Sequence, residues 1–416
     1  MALCWGVDTR KYTGKLNIKD GEDITRTRIL PMTTTELLSS SVHSETNEFV
    51  EIEIIDTDVH VEPSSFEELM DYIDTPWRDR FIKNRVPFRR AGFTTFDMAN
   101  RMDAYANVGE AGSQPHLVEK HLFVDERTDY CMLLPNALRG FTVDPKLDTA
   151  LSAAVNTWCA DTWLSKYKVG DRYVGSIAVS VEDPVGAVRE IEKWAEHPSF
   201  RQVAISHYGP RPFGHPMYDE IWAACARHNL PVSIHFKGGA TQPLGWTSTG
   251  PLQYFVEYHS LIAPMAYAAH IASFICNGVL DRHPNLKFLF LEGGFLWHRP
   301  FIDRLERHWE KISVELTTQK SPLDYIRDHF RFATQPIEET VNPEHISALF
   351  EESNASELLL FSSDYPHYDY DSPSKSLPKS LDNEVKRGIM SGNALKFFDL
   401  PRVRSVDRFD REAGRK

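Results

Sequence analysis

The sequence predicts an α/β protein, a (β/α)8 TIM barrel with an N-terminal arm and an insertion after strand 1. Two observations predict it. From residue 50 onward, eight short β-rich apolar runs alternate with longer stretches of helical periodicity, the pattern of successive βα units. Carboxylates and histidines fall at the C-terminal ends of several of these runs, where barrels of this kind keep their chemistry.

Taken in order, residues 1–49 are polar, rich in Thr, Ser and charges, and show no sustained period. They read as an extension or arm, which if ordered would lie across a neighbouring subunit. Residues 50–400 form the barrel, interrupted by an inserted segment over about residues 63–125 that reads as a cap or interface element. The eight runs are Phe49 to Asp56, Asp129 to Pro135, Tyr173 to Ser180, Arg201 to Ser206, Leu230 to His235, Leu286 to Gly294, Phe330 to Thr334 and Glu357 to Asp364. Between the third and fourth, Asp183 is placed as an N-cap and Pro184 at the first helical position. Val188, Ile191 and Trp194 then recur at helical spacing. Before the fifth, Tyr218, Ile221, Trp222 and Cys225 share one stripe, with Asn229 able to end the helix. Right-handed crossovers between parallel strands follow, and eight units favour closure into a barrel over an open sheet. In the tail, residues 401–416, the arginines 402, 404, 408 and 411 are interrupted by Asp407 and Asp410, a solvated end.

Composition narrows the function classes. Of 416 residues, 42% are hydrophobic and 25% charged, which is enough for a large core. The net charge of −13 would repel phosphate backbones and anionic lipid, so neither nucleic acid nor membrane is an expected partner. Five cysteines without CxxC spacing read as reduced, buried thiols. The N-terminus lacks a signal-peptide pattern and no run approaches about 18 apolar residues, so a cytoplasmic setting is expected. The absence of GxSxG, of a P-loop and of GxGxxG after a strand argues against serine hydrolases, NTPases and dinucleotide enzymes.

The strand ends carry the chemistry. Asp58 and His60 are two residues apart, so strand alternation points both to one side, with Glu62 next in the series. His235 closes the fifth run. Glu292 follows five largely apolar residues, and Asp364 follows a very apolar run, with His367 three residues later. Each has a plain structural alternative, a capping aspartate or a hydrogen-bonded core histidine. Their convergence does not, because buried carboxylates need a cation or a proton. A divalent metal accounts for Asp58, His60, His235, Glu292 and Asp364 together. His207 and His215 are weaker candidates, and Arg299, Arg304 and Arg307 read as surface ion-pair partners on the helix after the sixth run.

In DTDVH, IHFKGG, GVLDRHPNLKFLFLEGG, SSDYPH and GNALKFFDL the chain resembles the amidohydrolase superfamily over roughly residues 50–400. Within it, the resemblance is to the amidohydrolase-2 branch that contains aminocarboxymuconate semialdehyde decarboxylase. The resemblance puts Asp58 and His60 where the family usually has His-x-His and His235 at the strand-five metal ligand. Asp364 takes the place of the final aspartate, which binds metal and handles a proton. Glu292 stands at the strand-six histidine, a base or second-metal ligand. Asp58 and Glu292 thus replace nitrogen with anionic oxygen, shifting the preference from zinc toward manganese or iron, with one ion or two. The implied function is a metal-dependent hydrolase or non-oxidative decarboxylase acting on a small carboxylate or amide, with Asp364 and Glu292 as catalytic groups. Two alternatives remain. One is a dinuclear non-haem iron or manganese monooxygenase on the same fold. The other is a metal-binding, non-catalytic subunit of a hetero-oligomeric enzyme. A homo-oligomer, or a hetero-oligomer with a related barrel subunit, is expected.

Overall fold

The computed structural model describes residues 52–84, 100–105, 109–135, 144–166, 172–236, 254–316, 318–338, 342 and 345–402. The expected arm, the glycines after His235 and the tail beyond Arg402 lie outside the described residues. Eight parallel strands form one sheet in the order β1 to β8. They are Ile55–Val61, Tyr130–Pro135, Tyr173–Ala178, Phe200–Ser206, Val232–His235, Phe288–Leu291, Phe330–Ala333 and Leu359–Leu360. The last and first strands meet through single contacts rather than a ladder. Thr57 N–H donates to Phe361 O at 3.0 Å and His60 N–H to Tyr365 O at 2.7 Å.

Strand alternation builds two apolar layers. Met132, Leu134, Val174, Ala204, Leu289, Leu291 and Leu360 form the barrel interior. Leu133, Val203, Ile205, Phe288 and Phe290 belong to the layer between strands and helices. The helix Asn393–Phe398 joins the interior set through Leu395, Phe397 and Phe398. It lies at the strand starts, where Lys287 Nζ sits 5.9 Å from the Phe397 ring centre and Tyr130 donates its hydroxyl to Pro401 O.

Most strands are shorter than expected, the sixth pairing only over Phe288–Leu291, and the two that depart furthest both do so at the future site. Of the run expected at Phe49 to Asp56, residues 49–51 lie outside the described residues; among the described ones the strand begins at Ile55 and continues through Asp58 and His60 to Val61. The alternating VEIEI pattern suggested an earlier strand, whereas the β1–β2 ladder pairs the more polar IDTDVHV. The eighth run forms only two ladder residues, since Phe361 to Asp364 turn away to shape the rim.

The helix Pro184–Trp194 begins where expected, but Asp183 makes no side-chain cap. Its carboxylate instead accepts from Lys146 Nζ at 2.8 Å and Thr149 Oγ1 at 2.9 Å. Asn229, with φ of 52°, follows the helix Asp219–Arg227 as the left-handed stop. The long helix Phe255–Cys276 contains a stretch, His259–Cys276, apolar enough to span a membrane by length and composition, which the sequence reading passed over. Its Tyr267 and Phe274 are fully buried, packing on Phe290 and Phe288 of β6. The described cysteines Cys131, Cys159, Cys225 and Cys276 are free thiols, the first three buried.

Candidate metal centre

A β-bulge creates the site. In the β1–β2 ladder the register advances from Asp56 opposite Cys131 to Val59 opposite Leu133, so β1 carries one extra residue. Ile55 belongs to the interior layer, but Val59 and Val61 belong to the outer one. Alternation therefore changes phase across the bulge, and Asp58 and His60 face inward.

They meet His235, the last residue of β5, and Asp364, four residues beyond β8. One donor atom from each of the four lies within 4.8 Å of all the others. His60 Nε2 is 3.1 Å from Asp58 Oδ1, 3.0 Å from Asp364 Oδ1 and 3.1 Å from His235 Nε2. His235 Nε2 is 3.4 Å from Asp58 Oδ2. All four residues are buried.

A ring nitrogen has one proton or one lone pair, so His60 Nε2 cannot satisfy three neighbours by hydrogen bonding. Spacings of 3.0–3.4 Å have another meaning. Donors about 2.1 Å from a shared ion stand about 3.0 Å apart in an octahedron and about 3.4 Å apart in a tetrahedron. His235 Nδ1 donates to Phe236 O, which leaves the Nε2 lone pair facing the cluster. Asp364 Oδ2 and His60 Nδ1 are buried with no hydrogen-bond partner among the described residues. The donor set fits a divalent cation.

The backbone around the site is fastened across the barrel seam. Asp56 Oδ1 accepts from the N–H groups of Asp58 at 3.2 Å and Ser363 at 2.9 Å, while Oδ2 accepts from Ser363 Oγ at 2.5 Å. Burial pushes the Asp56 carboxyl up to about 7 against the pull of these bonds. Asp364 and Glu292 both leave their strands in left-handed backbone, with φ of 57° and 51°. Such a conformation costs a non-glycine residue on the order of 1–3 kcal/mol and persists only where the surroundings enforce it.

Glu292 does not join the four-donor group. With Asp364 and His367 it forms a second set whose donors lie within 4.8 Å of one another. Its Oε1 is 3.0 Å from His259 Nε2, and its Oε2 is 3.6 Å from His235 Nε2. Burial, reinforced by Asp364, pushes the Glu292 carboxyl up to about 8. His367 Nδ1 is 2.7 Å from Asp364 Oδ1. Burial alone would lower His367, but Asp364 and Glu292 outweigh it and push the ring up to about 10. Burial also opposes ionisation of Asp364, yet His367 and His60 together hold its carboxyl below the ordinary range.

The structure therefore groups Asp58, His60, His235 and Asp364, and sets Glu292 beside them. Sequence reasoning missed His259, whose place on the Phe255–Cys276 helix follows no strand-end pattern, and it left His367 without a role. Asp56 was legible by spacing, two residues before Asp58, but nothing in the sequence paired it with Ser363. Glu62 is buried outside both donor sets. His207 stacks on Phe236, and His215 accepts from Met217 N–H at the start of a short helix. Arg299 pairs with Asp303.

Comparison with solved structures bears out the barrel. A 5-carboxyvanillate decarboxylase from Sphingomonas paucimobilis aligns with a TM-score of 0.60 and 18% identity, covering 84% of this chain and 100% of its own. A 2,6-dihydroxybenzoate decarboxylase from Rhizobium aligns with a TM-score of 0.57 and 16% identity, covering 84% and 99%. A dihydroxybenzoic acid decarboxylase from Polaromonas, solved with bound manganese and the inhibitor 2-nitroresorcinol, gives 0.58 and 16%, covering 85% and 98%. The profile of the amidohydrolase family matches residues 55–400, the whole span of the described barrel, and the chain belongs to that family of enzymes.

Proposed function

We propose that this protein is a metal-dependent enzyme that decarboxylates, or in the second instance hydrolyses, a small carboxylate substrate, with Asp58, His60, His235 and Asp364 holding the ion. The observation that carries the reading is the crowding of four buried donors at 3.0–3.4 Å around His60 Nε2 and His235 Nε2. Decarboxylation is placed first because the three solved neighbours named above are decarboxylases. A donor set of two imidazoles and two carboxylates suits manganese or iron at least as well as zinc.

When bound, the ion supplies positive charge that orients the substrate and stabilises negative charge developing in it. The chain supplies the rest. His235 is held in its ligating tautomer by Phe236 O. Glu292 is the carboxyl adjoining the four donors without belonging to them, and His259 anchors its Oε1. Its Oε2 is thus the atom placed to pass a proton to the carbon from which carbon dioxide departs, or to the leaving group in hydrolysis. The electron pair of the broken carbon–carbon bond stays on that carbon and takes this proton, which Glu292 regains from solvent.

A second reading places another cation between Glu292, Asp364 and His367, supported by their donors lying within 4.8 Å. That arrangement would suit a dinuclear hydrolase or oxygenase. Glu292→Gln separates the two readings, since it keeps the shape and removes the charge. In the one-ion enzyme the metal stays and turnover falls; in the two-ion enzyme stoichiometry falls by one. The main reading is tested by elemental analysis of purified and manganese-, iron- or zinc-reconstituted protein, with carbon dioxide release measured from aromatic and aliphatic carboxylates. Protein that retains no metal after reconstitution would sink it.

A further inference from the structure

We propose that residues 100–105 and 109–121, between β1 and β2, form a clamp that sets the position of Asp364 and His367, with His121 and Arg101 as its positioning residues. The proposal rests on the metal-binding reading above.

The need for a clamp follows from β8. Its ladder stops at Leu360, four residues short of Asp364. Asp364 itself is in left-handed backbone, which neighbouring structure must enforce. From one side β1 supplies the bonds from Thr57 and His60 described above. From the other, the inserted segment supplies four more contacts. Asn100 pairs with His367 in an antiparallel bridge, and Arg101 N–H donates to Pro366 O at 2.8 Å. His121 Nδ1 hydrogen-bonds the Tyr365 hydroxyl at 3.0 Å. The Arg101 guanidinium lies 4.5 Å from the centre of the Tyr370 ring, held there by Asp103 at 2.7 Å. These contacts hold the residues that directly follow Asp364, on both sides of His367.

The same segment also touches β1. Gly112 has φ of 77°, and a Cβ there would stand 2.6 Å from the carbonyl oxygen of His60. Its own carbonyl accepts from Glu62 N–H at 3.3 Å. One inserted segment thus contacts the backbone of a β1 ligand and holds the residues that directly follow the β8 ligand, whose other flank β1 holds at Phe361. A cover that merely excluded water would need neither the bridge to His367 nor the buried bond to Tyr365.

Cobalt(II) titration of the full chain, followed by visible absorption, tests this, because the spectrum reports the geometry around the ion as well as the affinity. Tyr365→Phe and His121→Leu remove the same bond from its two ends. His121→Asn restores a polar atom where Nδ1 stood. Phe398→Ala, at the opposite end of the barrel, serves as a variant that loses stability only. The expected result is cobalt affinity at least about tenfold weaker in Tyr365→Phe and His121→Leu. Their absorption bands should shift, with recovery in His121→Asn and no change in Phe398→Ala. If His121→Leu does not fold, the near-isosteric Tyr365→Phe carries the test. Wild-type affinity and spectrum in Tyr365→Phe would overturn the clamp and leave the metal reading standing. An equal loss of affinity in Phe398→Ala would overturn it too, since affinity would then follow general stability. A wild-type chain that binds no cobalt would remove the metal reading and this inference with it.

Discussion

At the N-terminal end of the barrel, Ile55 and Tyr130 meet a short helix that presents Leu395, Phe397 and Phe398. At the C-terminal end, Asp58, Asp364 and Glu292 face His60, His235, His259 and His367 in pairs 2.7–3.6 Å apart. Burial is similar at the two ends, but the materials are opposite. The apolar end gains free energy from every side chain removed from water. The polar end spends it on desolvated charge, left-handed backbone and crowded donors. Fold stability and chemistry are thus assigned to opposite ends of the same strands.

The largest expected effect tests the polar end. His235→Ala should abolish stoichiometric metal binding and lower turnover by roughly a thousandfold or more, while the thermal midpoint holds or rises because a functional ligand adds little to stability. Elemental analysis and a melting curve check both. Full metal content in this variant would make His235 a core histidine. The mirror experiment is Phe398→Ala, expected to cost about 3 kcal/mol in denaturant unfolding with metal content and turnover per folded molecule unchanged. A loss of metal there would break the division between the ends.

Asp56→Asn probes the seam between them. Its neighbour contacts stay near in shape, but one oxygen no longer accepts from Ser363, so metal affinity should fall about tenfold to a hundredfold with only a modest stability loss. Competition with a chelator measures it, and unchanged affinity would leave Asp56 as packing.

The smallest effect comes from the wall of the barrel. Burial lowers His270 to about 4, outweighing its bond to His207 O, and burial likewise lowers His298 to about 4. His270 Nδ1 accepts from Phe213 N–H while Nε2 donates to His207 O, so only the neutral ring satisfies both. Because the folded-state values lie below the unfolded one, this stability is full above about pH 6.5 and is lost as pH falls toward 4. Each histidine should cost about 1 kcal/mol between pH 7 and 5.5. Denaturant midpoints at the two pH values check this, with His270→Gln expected to flatten the slope. An unaltered slope would show that the acid sensitivity lies elsewhere.

Strand order and helix positions were readable because period-2 and period-3.6 patterns report burial, and Val188, Ile191 and Trp194 or Ile221, Trp222 and Cys225 keep those periods. The five candidate ligands were readable because a carboxylate or imidazole ending an apolar run is conspicuous. His259 was not, since helices reach the rim at positions that no strand-end rule marks. The strand bounds failed at β1 and β8 because the site itself displaced them. There the backbone bulges or leaves the ladder to aim donors, and apolar periodicity no longer describes the chain.

The bulge in β1 makes the active end sensitive to length rather than to identity. Were β1 to run in unbroken alternation from Ile55 with the same number of residues, Asp58 and His60 would turn outward and Val59 and Val61 inward, whereas deleting Thr57 would absorb the bulge and leave both candidate ligands facing inward. Transplanting this chemistry to another barrel would therefore mean matching the number of residues to the strand's phase, with the bulge kept or one residue removed, before copying any side chain.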